Sequence, residues 1–358
     1  VTGQQQLALV TDADEIQMGN QQMREWVQAN EGQFPDPALQ RYVQGVGMRI
    51  ARVSHRPQLP YQFMIINSPD LNAATLPGGK TMINRGLLMK LRNEDQLAAL
   101  IAHEVGHSAA MHIATQITQQ SFAQALMGGL QWGLASGGVQ GSDYYLTGAG
   151  FGTQLVLLRF SREMERQADA LAIDYLVAAG YNPEAMFQLM QILRQNERSE
   201  LAVSMFQSHP LTQERIAFIT ERLSQVPPDM RARPYGIESF NAATAGLFSA
   251  AEAFRWEASA RASVKRRDYN GAVRDFQKAI AIFPNYAPFY AHMAFVQLKA
   301  GRLHEAQDTV AQAQRLAPDS FLAQSAAGII HFAARDYRNA LTAFQAANTI
   351  MPGTPTIY

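Results

Sequence analysis

The sequence predicts a mainly α (α+β) protein, a helical domain with a small β-sheet followed by an α-solenoid. Three observations predict it. Apolar residues recur at helical spacing through Thr11 to about Asn30, through Pro37 to Val53 and through the segments around His103 and Glu165. Two short runs, Tyr61 to Ile66 and Lys80 to Asn84, read as strands, and three columns of residues repeat every 34 positions in the last third. The division falls near residue 240, giving one domain over 1–240 and a repeat domain over 241–358.

The first helix starts on acidic residues after Thr11, and the second follows Pro37. Asn72 to Gly79 is turn-rich, so Lys80 to Asn84 is expected to pair directly with the first strand. Asn93 caps the next helix with Gln96 as its reciprocal partner, and the apolar pattern then runs through His103 and His107. Ser121 to Leu158 carries a single charge, Asp143, and nine glycines. Three readings stand open for it: a lid or plug, a packed helix hairpin, or peripheral contact with a membrane surface. The glycines favour a mobile element.

Pro284, Pro318 and Pro352 lie 34 residues apart, as do Ala272, Ala306 and Ala340, and Ala279, Ala313 and Ala347. Thirty-four is the length of a tetratricopeptide helix-turn-helix unit, in which small alanines let paired helices approach and proline closes the second helix. Tyr269, Leu303 and Tyr337, and Phe276, Val310 and Phe344, add two more columns. The first-helix signature is thinner, with Trp256, Tyr290 and Gly328. Three repeats are expected, at about 253–286, 287–320 and 321–354.

Among 358 residues, Lys+Arg and Asp+Glu number 30 each and no long basic run occurs, so nucleic acid is not an expected partner. The absence of cysteine removes thiolate-zinc and cysteine-nucleophile chemistry. No run of 18 uncharged apolar residues is present, which argues against an ordinary membrane span, and no signal peptide is visible in the chain.

His103-Glu104-Val105-Gly106-His107 places two imidazoles four positions apart, about 40° from each other around a helix axis. Both reach one ion from one face. Glu104 lies about 100° further round, where its carboxylate approaches a water on that ion without being a ligand. His112 is rotated about half a turn from His103 on a continuous helix, and no break is visible in Ser108 to Met111. It is expected to lie on the surface or on a second face, outside the site.

The third ligand must then come from another element. On a helix beginning near Phe160, the residues Glu165, Asp169, Ala172 and Leu176 share one stripe, so two carboxylates occupy a face that should be buried. A cation and histidine N–H donors relieve that cost, with Glu165 as ligand and Asp169 as the acceptor that orients a ligand histidine. Gly106 and Ala110 let the two helices come close. Two histidines, one carboxylate and a water suit one catalytic Zn2+ per chain.

Taken together, Asn72-Ala73, Pro77-Gly78-Gly79, the His103 to His107 motif, Glu165-x-x-Ala168-Asp169, and His209-Pro210 with Arg215 resemble the gluzincin family of the CAAX prenyl proteases and HtpX. The resemblance covers roughly residues 8–225 and implies a helical zincin-type metallopeptidase domain. It implies that His103, His107 and Glu165 bind zinc, that Glu104 is the base, and that His209 either donates to the oxyanion or caps the zinc in a latent form. Arg215 is placed in the same cleft. With the repeats following, the chain is most similar to soluble periplasmic members, which implies an envelope setting and unfolded or misassembled protein substrates. Outer-membrane assembly proteins are the partners implied for the repeats. Val1 to Gln4 resembles the segment after the lipidated cysteine of envelope lipoproteins.

The chemistry implied is peptide hydrolysis, with Glu104 taking the proton of the attacking water and the ion, His209 or Arg215 stabilising the oxyanion. Substrate is expected to add as a strand along Gly79 to Asn84. The competing reading is a chaperone or protein-binding module with a latent zinc site.

Overall fold

A computed structural model describes residues 10–119 and 159–352. The expectations for Ser121 to Leu158 and for Val1 to Gln4 lie outside the described residues. The chain forms two compact units, one of 1–24 with 37–243 and one of 25–36 with 244–358. The second unit therefore includes a short segment from the N-terminal region as well as the repeats.

The first unit begins with helix α1 (Asp12–Ala29), whose last turns belong to the second unit, and α2 (Pro37–Ala51). Three strands follow, β1 (Gln62–Ile66), β2 (Ala73–Leu76) and β3 (Lys80–Asn84), in the order β1-β3-β2. Strand β3 pairs in parallel with β1 from Gln62 opposite Lys80 to Ile66 opposite Asn84. It pairs antiparallel with β2, Ala73 opposite Ile83 and Leu76 opposite Lys80. Part of the turn-rich stretch is thus a strand. Pro77-Gly78-Gly79 reverses the chain with both glycines left-handed, φ 69° and 77°. A Cβ at Gly78 would lie 2.7 Å from the Ile16 Cα, and one at Gly79 would lie 2.6 Å from the Tyr61 ring, so only glycine fits either position.

A short helix α3 (Arg85–Leu88) leads to α4 (Glu94–Ala109). The Asn93 side chain accepts from the Gln96 backbone N–H at 2.9 Å, while Gln96 Oε1 accepts from the Arg92 N–H at 2.8 Å, one residue earlier than a reciprocal box requires. Every residue of α4 from Asp95 to Ala109 is buried, so this helix is the axis of the unit. Residues 112–119 are helical (α5). After the undescribed segment come α6 (Arg162–Ala179), α7 (Glu184–Gln195), a 3-10 turn at Glu200–Ala202, α8 (Val203–Ser208), α9 (Gln213–Ser224), α10 (Pro228–Arg231) and α11 (Ile237–Ser249). Ser161 caps α6 and Gly180 ends it at φ 82°. No helix of the described residues is long and apolar enough to cross a membrane.

The second unit is built of helix pairs: α12 (Ala251–Lys265) with α13 (Tyr269–Ile282), α14 (Ala287–Lys299) with α15 (Leu303–Leu316), and α16 (Phe321–Ala333) with α17 (Tyr337–Ile350). The alanine columns are the packing surface: Ala272, Ala306, Ala340, Ala279, Ala313 and Ala347 are all buried. At Gly328 a Cβ would lie 2.4 Å from the Phe344 ring, so the glycine leaves room for the aromatic of the paired helix. The protein is thus mainly helical with one small sheet, followed by a tetratricopeptide-type array.

Candidate metal centre

Two helices bring the site together. Gly106 of α4 faces Ala168 of α6 so closely that a Cβ would stand 3.0 Å from the Ala168 carbonyl oxygen. This approach puts His103 and His107 opposite Glu165 and Asp169, all of them buried. Both carboxylates of the expected stripe are turned inward, whereas Glu163 is exposed.

The ligating atoms converge. His103, His107, Glu165 and His209 each offer an atom within 4.8 Å of the others. His107 Nε2 lies 3.2 Å from His103 Nε2 and 3.5 Å from Glu165 Oε1. His209 Nδ1 lies 2.9 Å from Glu165 Oε1 and 3.4 Å from His103 Nε2. The histidine after α8 therefore stands among the candidate ligands, nearer to them than a separate donor would be. It is fixed there by its own N–H, which donates to the Met205 carbonyl at 2.8 Å, and by the preceding Ser208 carbonyl, which accepts from the Phe160 N–H at 3.1 Å.

Behind the ligands each group has a distinct partner. His103 Nδ1 is 3.0 Å from Asp169 Oδ1. Arg215, from the first turn of α9, donates through Nε and Nη2 to both Asp169 oxygens at 2.8 and 2.7 Å. Its Nη1 reaches Glu165 Oε2 at 2.5 Å and the Pro210 carbonyl at 3.1 Å. The guanidinium is thus an engaged clamp on two carboxylates, a geometry suited to positioning them.

His112 departs from the expectation. It is fully buried, because the helix breaks where Met111 adopts φ 56° and the chain turns the ring back toward the site. His112 Nδ1 lies 3.0 Å from His107 Nδ1, and its Nε2 lies 3.0 Å from Gln167 Oε1. With His107 Nε2 turned to the ligand cluster, its Nδ1–H donates to His112, and the His112 Nε2–H donates to Gln167. His112 stays outside the candidate ligands and hydrogen-bonds to one of them, His107. Phe160 covers the same histidine, with ring centroids 3.8 Å apart. Sequence reasoning kept His112 out of the ligands but expected it on the surface or a second face, and it gave Gln167 and Phe160 no part in the site; for Phe160 the signal was an apolar residue immediately before the Ser161 cap.

The charges test whether a cation fits. Three buried carboxylates, Glu104, Glu165 and Asp169, stand against one guanidinium, Arg215. With the imidazoles neutral, as metal ligands are, two negative charges remain, which one divalent cation balances. The same deficit acts on His103: burial lowers its pKa, but the Asp169 and Glu165 carboxylates more than reverse this and hold it at about 10. Burial and the neighbouring His103 charge push His107 well below its ordinary value, and burial lowers His112. Burial opposes ionisation of Glu165 and Asp169, yet His209 and Arg215 hold the first low and Arg215 with His103 holds the second low. Both oxygens of Glu104 are buried without a hydrogen-bond partner, and the His209 Nε2 is 3.8 Å from Oε1. Imidazoles, one carboxylate ligand and an unpaired carboxylate alongside suit zinc with a water.

Comparison with known proteins agrees with this geometry. Residues 37–223 match Peptidase family M48, and residues 263–328 match a tetratricopeptide repeat family. The chain is 29% identical over 220 residues to the beta-barrel assembly-enhancing protease of Escherichia coli K12, covering 60% of this chain and 45% of that protein. It is 33% identical over 186 residues to the mitochondrial metalloendopeptidase OMA1 of Schizosaccharomyces pombe, covering 51% of this chain and 53% of that one. It is 27% identical over 165 residues to the metalloprotease LoiP of Escherichia coli K12, covering 46% and 64%. The chain spans about half the length of the curated relatives it matches.

Proposed function

The chain belongs to peptidase family M48, and on that footing we propose that it is a zinc-dependent endopeptidase acting on unfolded or misassembled proteins of a bacterial envelope. The observation that carries this reading is Glu104, a carboxylate with no hydrogen-bond partner for either oxygen, set beside a cluster of imidazoles and one carboxylate. A structural metal site has no use for such a group.

His103, His107 and Glu165 would hold the ion. Zinc supplies a Lewis acid and brings the pKa of a water it holds down toward about 7. Glu104 accepts the proton of the attacking water and later returns it to the leaving amine. Asp169 fixes His103 with Nε2 free to ligate, His112 does the same for His107, and Arg215 keeps Glu165 and Asp169 ionised and in place.

The place of the substrate is revised from the expectation. Strand β3 (Lys80 to Asn84) is central and paired on both sides, so its backbone has no edge to offer. Strand β2 has β3 on one side and no strand on the other among the described residues, and Thr75 Oγ1 lies 3.1 Å from Ser108 Oγ of the histidine helix. An extended peptide added along β2 would run beside α4 with little dependence on its side chains.

His209 among the ligands favours a closed resting form, the latent variant of the same site. The name of the beta-barrel assembly-enhancing protease supports an envelope setting and outer-membrane assembly partners for the repeats. Glu104→Gln is expected to lower the cleavage rate on a casein-like unfolded substrate by about 10²–10⁴-fold with zinc content unchanged. His209→Ala is expected to raise the parent rate. Equal cleavage by the parent and Glu104→Gln overturns the peptidase reading and leaves the binding-module reading in its place.

A further inference from the structure

In the second unit the first helices of all three repeats touch one short segment, Glu25 to Asp36. Gln28 Oε1 accepts from the Phe321 N–H at the start of α16, at 3.2 Å. Glu31 Oε1 receives Arg261 of α12 at 2.6 Å and His292 Nε2 of α14 at 3.0 Å. Phe34 is buried, with its ring 6.4 Å from Phe254 and 6.5 Å from Tyr286, in an aromatic cluster continued by Phe283 and Phe289.

The inner surface of a stacked repeat array is where such proteins take up peptide segments. Here the first helices carry Arg261 with His292 beside it, and an aromatic pocket. The segment supplies a carboxylate and, three residues later, a ring. Glu31 adopts φ 68° just past the end of α1, a conformation unfavourable for a non-glycine residue that is sustained when the surroundings over-determine it. The turn aims the carboxylate at Arg261 and His292.

We propose that this surface of the first helices is a binding site for peptides bearing a carboxylate three residues ahead of an aromatic ring, and that Glu25 to Asp36 is its occupant in cis, which a partner peptide displaces. The proposal deepens the reading that the repeats bind protein segments and is independent of peptidase chemistry. A tethered occupant acts at an effective concentration on the order of millimolar, so it weakens a competing micromolar peptide by about tenfold or more.

The test uses the full chain and a fluorescently labelled peptide of the sequence of residues 28–36, read by anisotropy. The double variant Glu31→Ala with Phe34→Ala is expected to bind it at least tenfold more tightly than the parent. Binding should fall at least tenfold when the peptide itself lacks the glutamate or the phenylalanine, and again when Arg261→Ala is added to the double variant. Equal binding by parent and double variant, or binding by neither, overturns the proposal. So does loss of the helical circular dichroism signal in both this variant and the milder Glu31→Gln with Phe34→Leu, because a displaceable occupant leaves the repeats folded. Each result stands whether or not the chain cleaves casein.

Discussion

Among the described residues two clusters bring acids and histidine within 4.8 Å of one another, the buried His103, His107, Glu165 and His209 in the first unit and, in the second, buried Glu257 with half-buried Glu31 and His292. Convergence alone does not distinguish them, but charge does. In the second cluster Arg261 sits between the acids, bonded to Glu31 and to Glu257 at 2.6 and 2.8 Å, and so occupies the place a cation would take. In the first, Arg215 clamps Glu165 and Asp169 from behind, and Glu104 keeps both oxygens unpaired. A cluster whose arginine already lies between its acids is an ion-paired joint; one whose arginine binds two acids and leaves a third without a hydrogen-bond partner has a place for a metal.

The largest effects break that distinction directly. Glu165→Ala is expected to drop zinc, measured by elemental analysis, well below one per chain, whereas Glu257→Gln is expected to leave it at one; the opposite pattern would exchange the two assignments. Next in size is the acid response of the joint. Burial opposes ionisation of Glu31, but His292 and Arg261 hold its pKa at about 2 against an ordinary 4.5. Its contribution, on the order of 3 kcal/mol, is complete above pH 4.5 and lost as pH falls toward 2. Stability against urea should decline through that window in the parent and less steeply in Glu31→Gln; identical slopes would remove the joint. His112→Ala is expected to weaken zinc affinity by about 10–100-fold in a chelator competition, as for other partners of ligand histidines. An unchanged affinity would reduce His112 to packing. The smallest effect is at Met111→Gly, where relief of the left-handed backbone against lost chain stiffness keeps stability within about 1 kcal/mol of the parent, measured by denaturant midpoint.

Much of the site was legible because it obeys helical periodicity. The spacing of His103 and His107 and the stripe of Glu165 and Asp169 follow from 3.6 residues per turn, and the alanine columns follow from a 34-residue period. His112 was misplaced because the same periodicity was carried past Met111, a residue that does not announce a left-handed turn as glycine would. The central position of β3 was hidden because its partner β1 is parallel and β2 enters the sheet from what reads as a turn. Glu31 and Phe34 were silent because their partners lie more than 200 residues away in the sequence, beyond any local pattern.

The contact of Gly106 with Ala168 bears on how the centre would exchange its ion. The two helices already meet main chain to side-chain-free main chain, with the Ala168 carbonyl oxygen 3.0 Å from where a Cβ would be. The span between His103 and Glu165 is therefore gauged by the backbone and not by whatever sits between them. A gap gauged in this way is held at one width by main-chain contact, so the carboxylate and imidazole faces are expected to stay apposed when no ion lies between them.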